Sequence, residues 1–282
     1  GTLDVLGGPN RRSLVTGPLG RPVEADWRLD GRSAVVEMAR ASGLQLAGGP
    51  EGNDPLEATT RGTGELVLSA AGAGARRIVV AVGGSATTDG GLGAVEVLAG
   101  RLSGVELVVA CDVDITFCAA AEEFAPQKGA TPTQVQLLRR RLERLVDQYR
   151  SRFGLDVYAL PGSGAAGGLA GGLAALGAQL VPGFEIVAEA VGLDERLEGA
   201  DLVLTAEGFL DELSFRGKVV GEVARLCRDS SLPLLVVAGE LYGDVPADLD
   251  AISLAARFGA ERARTDTLRC IEEVVAERLA AS

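Results

Sequence analysis

Six short apolar runs separated by helical patterns constrain the fold of this chain more than any other feature. The runs are SAVVEM (33–38), RIVVAV (77–82), VELVVACD (105–112), DLVLTAE (201–207), LPLLVVAGE (232–240) and DAISLAA (250–256). Most lack the alternation of apolar and polar residues that marks a strand with one face in water, which favours strands covered on both faces. Strands that alternate with helices in this way predict an α/β fold with largely parallel sheets.

Two helices are well marked in the sequence. The first is predicted over residues 132–150, where Thr131, Pro132 and Gln134 have the types typical of an N-cap, a first helical residue and a capping-box partner. Its apolar stripe consists of Val135, Leu138, Leu142, Leu145 and Tyr149. The second helix closes the chain, and we interpret it as a packing element. Its expected packing face consists of Leu268, Ile271, Val274, Val275 and Leu279.

Composition limits the ligands of this chain. A net charge of −12 and a pI near 4.6 argue against a surface for nucleic acid or anionic membranes, because both need a cationic field. An anionic ligand must therefore be held locally, by loop amides and a few basic side chains. The absence of histidine excludes Ser-His and Cys-His catalysis and most zinc sites. At 282 residues, the chain suits one large or two ordinary α/β domains.

The cysteines indicate the cellular compartment of the protein, and the first residue indicates whether the sequence begins at the start of the natural chain. No C-x-x-C pair occurs, and each cysteine lies in an apolar segment, so we predict buried thiols in a reducing cytosol. The four are Cys111, Cys118, Cys227 and Cys270. No apolar run reaches the roughly 20 residues that span a bilayer, which predicts a cytoplasmic protein without a membrane partner. Because the chain begins at Gly1 rather than Met, we also expect a missing N-terminal segment.

A glycine-rich loop, GGSATTDGG (83–91), lies between a predicted strand and a predicted helix. This position directs loop amides and the hydroxyls of Ser85, Thr87 and Thr88 to one point, which suits a phosphate or a carboxylate. A tight turn that needs glycine for packing is the alternative. The loop is neither a P-loop, since no Gly-Lys-Ser/Thr follows, nor a G-x-G-x-x-G motif.

Two further segments resemble ligand loops. PGSGAAGGLAGGL (161–173) is a second glycine-rich helix start, and the alternative is that its small residues let two helices approach closely. ACDVD (110–114) places Asp112 and Asp114 after a buried strand, where open α/β sheets bind ligands. A carboxylate there can hold Mg²⁺ or accept a hydrogen bond from a hydroxyl, and the alternative is a solvated strand end.

The remaining candidates are charged residues in loops. Lys128 lies in the Pro/Gly turn APQKGA (125–130), where a lysine is usually only solvated. In TAEGFLDELSFRGK (205–218), acidic and basic residues follow a strand, so this stretch suits metal and phosphate together, although a charged surface loop explains it nearly as well. The charged residues there include Glu207, Asp211, Arg216 and Lys218.

The order of these motifs along the chain resembles the glycerate kinase family of bacteria. The resemblance covers roughly residues 1–240 and includes GAQLVPGFEIVAEAVGLDERLEGADLVLTAEG (177–208). It implies a transfer of the ATP γ-phosphoryl group to a hydroxyl of D-glycerate, with Mg²⁺, in a two-domain α/β enzyme with its site in a cleft between the domains. Such a transfer needs positioning, amides, a cation and a metal-holding carboxylate, and it needs no histidine.

The resemblance and the loop chemistry together give the expected site. The residues expected to bind substrate or phosphate are Gly83, Gly84, Ser85, Thr88, Asp89, Gly162, Ser163, Gly164 and Lys218. The expected catalytic residues are Asp112, Lys128, Glu207 and Asp211, and Mg²⁺ is assigned to Asp112 and Glu207. By the same resemblance, residues 1–29 and 216–282 form one discontinuous Rossmann-like domain, and 30–215 form a glycine-rich second domain.

The chain also departs from the pattern of the family. Ile115, Thr116 and Phe117 stand where the family tends to have Asn-Pro-Leu, and Phe209 replaces an arginine. Two hypotheses therefore remain open: a kinase for glycerate or a related hydroxy acid, or a catalytically weak paralogue that binds a small anion, a nucleotide or a partner protein. A dinucleotide-dependent oxidoreductase is disfavoured by the missing glycine fingerprint. A small-molecule substrate is expected, and a homo-oligomer is allowed.

Overall fold

A computed structural model describes residues 1–215, 219–243, 245–246 and 249–280. The chain forms two compact units, Gly1–Val187 and Ala188–Ser282. This division differs from the one that we predicted at residues 30 and 215, because residues 11–30 pair into the sheet of the first unit.

The first unit contains a six-stranded sheet whose strands follow one another in sequence order. The strands are β1 (Arg11–Thr16), β2 (Pro22–Asp30), β3 (Ser33–Glu37), β4 (Arg77–Ala81), β5 (Glu106–Ala110) and β6 (Gln179–Val181). β3, β4 and β5 are parallel, as predicted, and β6 continues the parallel pairing although we did not predict it as a strand. β1 and β2 add an antiparallel hairpin at one edge that we also did not predict. The α/β class with a mostly parallel sheet is thus confirmed.

Helices cover both faces of this sheet. They are α1 (Thr2–Val5), α2 (Ala39–Ser42), α3 (Gly49–Gly52), α4 (Arg61–Gly72), α5 (Leu92–Leu98), α6 (Ala120–Phe124), α7 (Pro132–Phe153), α8 (Leu169–Ala175) and α9 (Gly183–Val191). Val36, Val80 and Val109 lie on one face in a core with α4 and α8. Val79 and Val108 lie on the other, against residues of α1 and α9. Burial on both faces explains the unalternating apolar strands.

Helix α7 confirms the strongest local prediction. The Thr131 hydroxyl accepts a hydrogen bond from the Gln134 amide, and the Gln134 side chain accepts one from the Thr131 amide, which together form a capping box. Gly154 ends the helix in the left-handed conformation. The buried side of α7 contains Leu138, Leu142, Leu145, Val146 and Tyr149.

The second unit has a parallel sheet in the order β7-β8-β9 within its described residues. The strands are β7 (Val203–Leu210), β8 (Leu234–Leu241) and β9 (Asp250–Ser253). The helices are α10 (Leu193–Leu197), α11 (Val219–Asp229), α12 (Leu254–Phe258), α13 (Ala260–Thr265) and α14 (Thr267–Ala280). One core joins Val237 to α14, and another joins Val236 to Val220 of α11, so this sheet also packs on both faces.

Burial of the cysteines is confirmed, because all four are buried and free. Among the described residues, no helix is both long and apolar enough to cross a membrane.

Candidate functional site

A cavity of about 410 Å³ lies in the first unit at the carboxyl ends of β4 and β5. This is the edge where parallel α/β sheets bind their ligands, and the volume lies in the range of small-molecule sites. The cavity is lined by Leu44, Val82, Gly83, Gly84, Ser85, Ala110, Asp112, Val113, Phe124, Gln127, Lys128, Ala165 and Ala166. Four segments that we singled out in the sequence, 83–91, 110–114, 125–130 and 161–173, therefore meet at one pocket.

The loop after β4 is held from one side and open on the other. The Leu44 amide donates to the Gly84 carbonyl and the Ala86 amide to the Ser42 carbonyl, each at 3.0 Å. Gly84 has a φ of +75°, a conformation that glycine adopts without strain. Within the described residues, the amides of Gly83, Gly84 and Ser85 donate no hydrogen bond, which leaves them available to an anion.

Lys128 is a buried cation in this pocket rather than a solvated turn residue. It ends a single 3-10 turn (Pro126–Lys128), its exposed fraction is 4%, and its Nζ donates a hydrogen bond of 2.7 Å to the Thr87 carbonyl. Burial lowers the pKa of Lys128 to about 7, and the nearby charge of Asp89 opposes that fall. At neutral pH, this amine gains or loses its proton in response to small changes in its surroundings.

Asp112 brings a carboxylate to the same cavity. Its Oδ1 accepts a hydrogen bond of 2.6 Å from the Gly183 amide at the start of α9, and its side chain is exposed. No group of three or more histidine, cysteine or acidic side chains suited to a metal occurs in the described parts of the chain. Magnesium in phosphoryl-transfer sites needs only one or two carboxylates besides phosphate oxygens and water, so the pocket fits an ion that is shared with a bound phosphate.

Thr88 and Asp89 belong to the same glycine-rich loop but do not line the cavity. The Asp89 carboxylate accepts hydrogen bonds from the Thr60 amide and hydroxyl, each at 2.8 Å, and from the amides of Gly91 and Gly93. Burial raises the pKa of Asp89, and these four bonds oppose the rise. The Asp89 carboxylate thus links the start of α4 to the start of α5, and its hydrogen-bonding positions are occupied by protein donors. We therefore do not include Asp89 in the proposed anion site. The Thr88 hydroxyl is buried without a hydrogen-bond partner in the described residues.

Residues 162–164 of the second glycine-rich loop support the pocket from below its surface. All three are buried, and the Ser163 Oγ lies 2.9 Å from the Val157 carbonyl oxygen and 2.6 Å from that of Leu160, which share its single proton. The Gly164 amide donates to the Ile115 carbonyl. We predicted an anion cradle here, but its neighbours Ala165 and Ala166 are the residues that reach the cavity.

The other predicted site residues belong to the second unit. Glu207 lies in β7, and Asp211 follows that strand. The Asp211 Oδ1 accepts hydrogen bonds from the Ser214 amide and hydroxyl, at 2.9 and 3.1 Å. Lys218 lies outside the described residues.

Sequence reasoning missed the apolar wall and one polar contact. Phe124 and Val113 line the cavity, although neither residue type distinguishes a ligand wall from a core. Asn53 donates hydrogen bonds to two backbone carbonyls next to the cavity. Asn53 lies in the polar stretch AGGPEGNDP (47–55), which is rich in glycine and proline, and no local pattern there shows that Asn53 contacts residues 33 and 75 positions away.

The fold and the pocket define an α/β protein with a small-molecule-sized cavity at the carboxyl edge of a parallel sheet. The sequence matches the family model described as "Glycerate kinase family" over residues 1–103 and 95–280. The chain therefore belongs to the glycerate kinase family.

Named relatives agree with this assignment. The glycerate 2-kinase of Escherichia coli (strain K12) is 39% identical over 274 residues, which cover 84% of this chain and 72% of the relative. The glycerate kinase of Bacillus subtilis (strain 168) is 38% identical over 278 residues, or 86% and 72%. A crystal structure described as a glycerate kinase 2 from Salmonella typhimurium LT2 matches with a TM-score of 0.82 and 35% identity, over 99% of this chain and 85% of that one.

Proposed function

We propose that this protein is a kinase that transfers the γ-phosphoryl group of ATP to a hydroxyl of D-glycerate or a related small hydroxy acid. The observation that carries the proposal is the buried amine of Lys128 beside the open amides of residues 83–85 in one pocket. Family membership and the names of the relatives support the same reaction. A cytosolic location agrees with the four free thiols.

The pocket residues suit the demands of phosphoryl transfer. The amides of Gly83, Gly84 and Ser85 would hold a phosphoryl or carboxylate group, and the buried amine of Lys128 would balance its negative charge. Asp112 would hold Mg²⁺ next to that group, and the ion, when bound, supplies the charge neutralisation that a triphosphate requires.

Proton transfer from the acceptor hydroxyl needs a carboxylate or an amine within reach. Asp112 and Lys128 meet this need in the first unit, and Asp211 and Glu207 remain the candidates from the second. A bound anion favours the ammonium form of Lys128, because opposite charge raises the pKa of a nearby amine. Lys128 is therefore suited to charge balance once the anion is bound, and a carboxylate is the better acceptor of the hydroxyl proton.

Coupled ADP release by the full-length protein tests the proposal, with ATP, Mg²⁺ and D-glycerate as reactants. Lys128→Met removes the cation, and Asp211→Asn removes a carboxylate while its size is kept. Arg101→Met is the matched control, because Arg101 is an exposed cation in the turn before β5, at the opposite end of the strand from the pocket. We expect turnover in the wild type and Arg101→Met, and a loss of about a hundredfold or more in Lys128→Met.

The opposing results are equally specific. A folded wild type that binds nucleotide or sulfate without turnover would favour the weak paralogue that the changed residues Ile115 and Phe209 raise as an alternative. Unchanged turnover in Asp211→Asn would exclude Asp211 and leave Asp112 and Glu207 as candidates for the carboxylate that accepts the hydroxyl proton.

A further inference from the structure

Asn53 connects the two walls of the pocket through a single side-chain amide. Its Nδ2 donates one hydrogen bond of 3.0 Å to the Ala86 carbonyl and another of 2.9 Å to the Lys128 carbonyl. The Lys128 side chain then contacts the next residue of the same loop, since its Nζ donates to the Thr87 carbonyl. The backbone and the side chain of Lys128 are thus tied to neighbouring residues of the glycine-rich loop.

The segment that carries Asn53 is itself packed against the Lys128 turn. Gly129 has a φ of +93°, and a β-carbon at this position would lie 2.2 Å from the Pro50 carbonyl oxygen. On the other side of Asn53, the Leu56 carbonyl accepts a hydrogen bond of 2.6 Å from Arg141 of α7. The polar loop at residues 47–55 is therefore part of the wall that supports the pocket.

We propose that Asn53 is a positioning residue, which holds the Lys128 turn against the glycine-rich loop and so keeps the Lys128 amine in the anion pocket. This inference rests on the proposed function in one respect, because it takes the pocket to be the anion site. Both hydrogen bonds that Asn53 donates go to backbone carbonyls, and Asn53 lies outside the set of residues that line the cavity.

The carboxamide is well suited to this position. The two N–H groups on the side-chain nitrogen donate to two carbonyls at once. A hydroxyl has only one proton to donate, and a carboxylate would repel the carbonyl oxygens. The Asn53 Oδ1 is buried without a hydrogen-bond partner in the described residues, which is an unfavourable arrangement. We infer that the two hydrogen bonds donated by Nδ2 stabilise this arrangement by more than the unpaired Oδ1 destabilises it.

Direct titration of Lys128 tests the inference without any need for activity. The chain contains only two lysines, so protein labelled with ¹³C at lysine Cε gives two signals, and Lys128→Met identifies the one from Lys128. The groups that face this amine are Asp89, whose charge acts on it, and the Phe124 ring, whose centre is 5.9 Å from Nζ. Asp112 lines the same pocket.

We expect the Lys128 signal to titrate near pH 7 in the wild type, and roughly one pH unit or more higher in Asn53→Ala, because a released turn lets water reach the amine. Asn53→Ser keeps one donor and should fall between them. Asn10→Ala is the matched control, because Asn10 also bridges backbone, through the amide and carbonyl of Leu29, but lies next to the β1–β2 hairpin. This control should titrate as the wild type does.

An unchanged Lys128 titration in folded Asn53→Ala or Asn53→Ser would overturn the inference. If Asn53→Ala does not fold, the Asn53→Ser variant decides the question. Activity is a second readout: we expect kcat to fall about tenfold to a hundredfold and its pH dependence to move with Lys128. A wild type without turnover would count against the proposed kinase alone, since the titration still measures the positioning effect.

Discussion

Lys128 is the residue whose surroundings differ most from what its sequence context predicts. A lysine in a Pro/Gly turn is ordinarily solvated, yet this one is buried and bonded to the Thr87 carbonyl. An apolar residue of similar size would fill the same space without desolvating a charge, so the buried amine lowers the stability of the folded chain.

The stability of Lys128→Met should therefore exceed that of the wild type at low pH. The folded pKa, about 7, lies below the ordinary value of 10.5, so the unfolded chain binds more protons between these values and wild-type stability rises with pH there. Below pH 7 the folded protein bears the full free-energy cost of a buried, charged Lys128. At pH 6, removal of the desolvated charge should raise the free energy of unfolding of Lys128→Met by on the order of 3–5 kcal/mol. The lost hydrogen bond to Thr87 should reduce this gain by about 1 kcal/mol.

Urea unfolding at pH 6 and pH 9.5 measures this difference. Trp27 is the single tryptophan of the chain and is buried in the first unit, so its fluorescence reports on the unit that contains Lys128. The gap between variant and wild type should shrink at the higher pH. An equal gap at both values would mean that Lys128 keeps its ordinary pKa in the folded state.

Anion binding should draw a proton onto Lys128. Sulfate is a suitable probe at pH 8, because it does not titrate there and its charge favours the ammonium form. Calorimetry in two buffers of different ionisation enthalpy should show proton uptake by the wild type and none by Lys128→Met. Heats that do not depend on the buffer would place the anion away from this amine.

At the scale of the elements, glycine contacts set how closely α5 and α8 pack. A β-carbon at Gly172 would lie 2.7 Å from the Gly90 carbonyl oxygen and 3.1 Å from the Gly91 α-carbon. Both contacts involve backbone, which has little room to shift. The small-residue stretch at 161–173 is thus partly a packing device, as one of its two interpretations held.

Gly172→Ala should therefore destabilise the protein by about 1–3 kcal/mol. Gly72→Ala is its control, because Gly72 ends helix α4 and nothing lies within 4 Å of a β-carbon there. That control should be neutral or gain about 0.5–1 kcal/mol from helix propensity. Thermal unfolding of the two variants compares them, and equal melting temperatures would contradict the close packing of α8 on the Gly90 loop.

Local sequence patterns predicted the helices and strands well where a pattern is compatible with only one type of secondary structure. The parallel strands and the caps of α7 needed only apolar runs and capping residues. The β1–β2 hairpin was missed, although Val23, Ala25, Trp27 and Leu29 alternate with polar residues along β2.

The packing face predicted for α14 was wrong at its two ends. Leu268 and Leu279 are 78% and 58% exposed, whereas Cys270 and Val274 face the core. Apolar residues lie on both sides of this helix, so periodicity alone could not choose the buried one. Only the sheet beneath α14 decides which side is covered.

At the scale of the whole molecule, the order of the motifs predicted the family, and the family model and relatives confirm it. The sequence also predicted that the loops after β4 and β5 would share a site, because parallel strands end at one edge. It could not predict which loop residues face the cavity and which support it. That distinction separates Ser85 from Ser163, and it depends on contacts between distant segments.

³¹P NMR of the reaction mixture shows whether this protein phosphorylates a small hydroxy acid. Full-length protein with ATP, Mg²⁺ and D-glycerate should form ADP together with a new phosphomonoester signal, split as a triplet for the primary hydroxyl or a doublet for the secondary one. Lys128→Met should form little of it. Folded wild-type protein that leaves ATP intact, or releases only inorganic phosphate, would show that it does not phosphorylate D-glycerate.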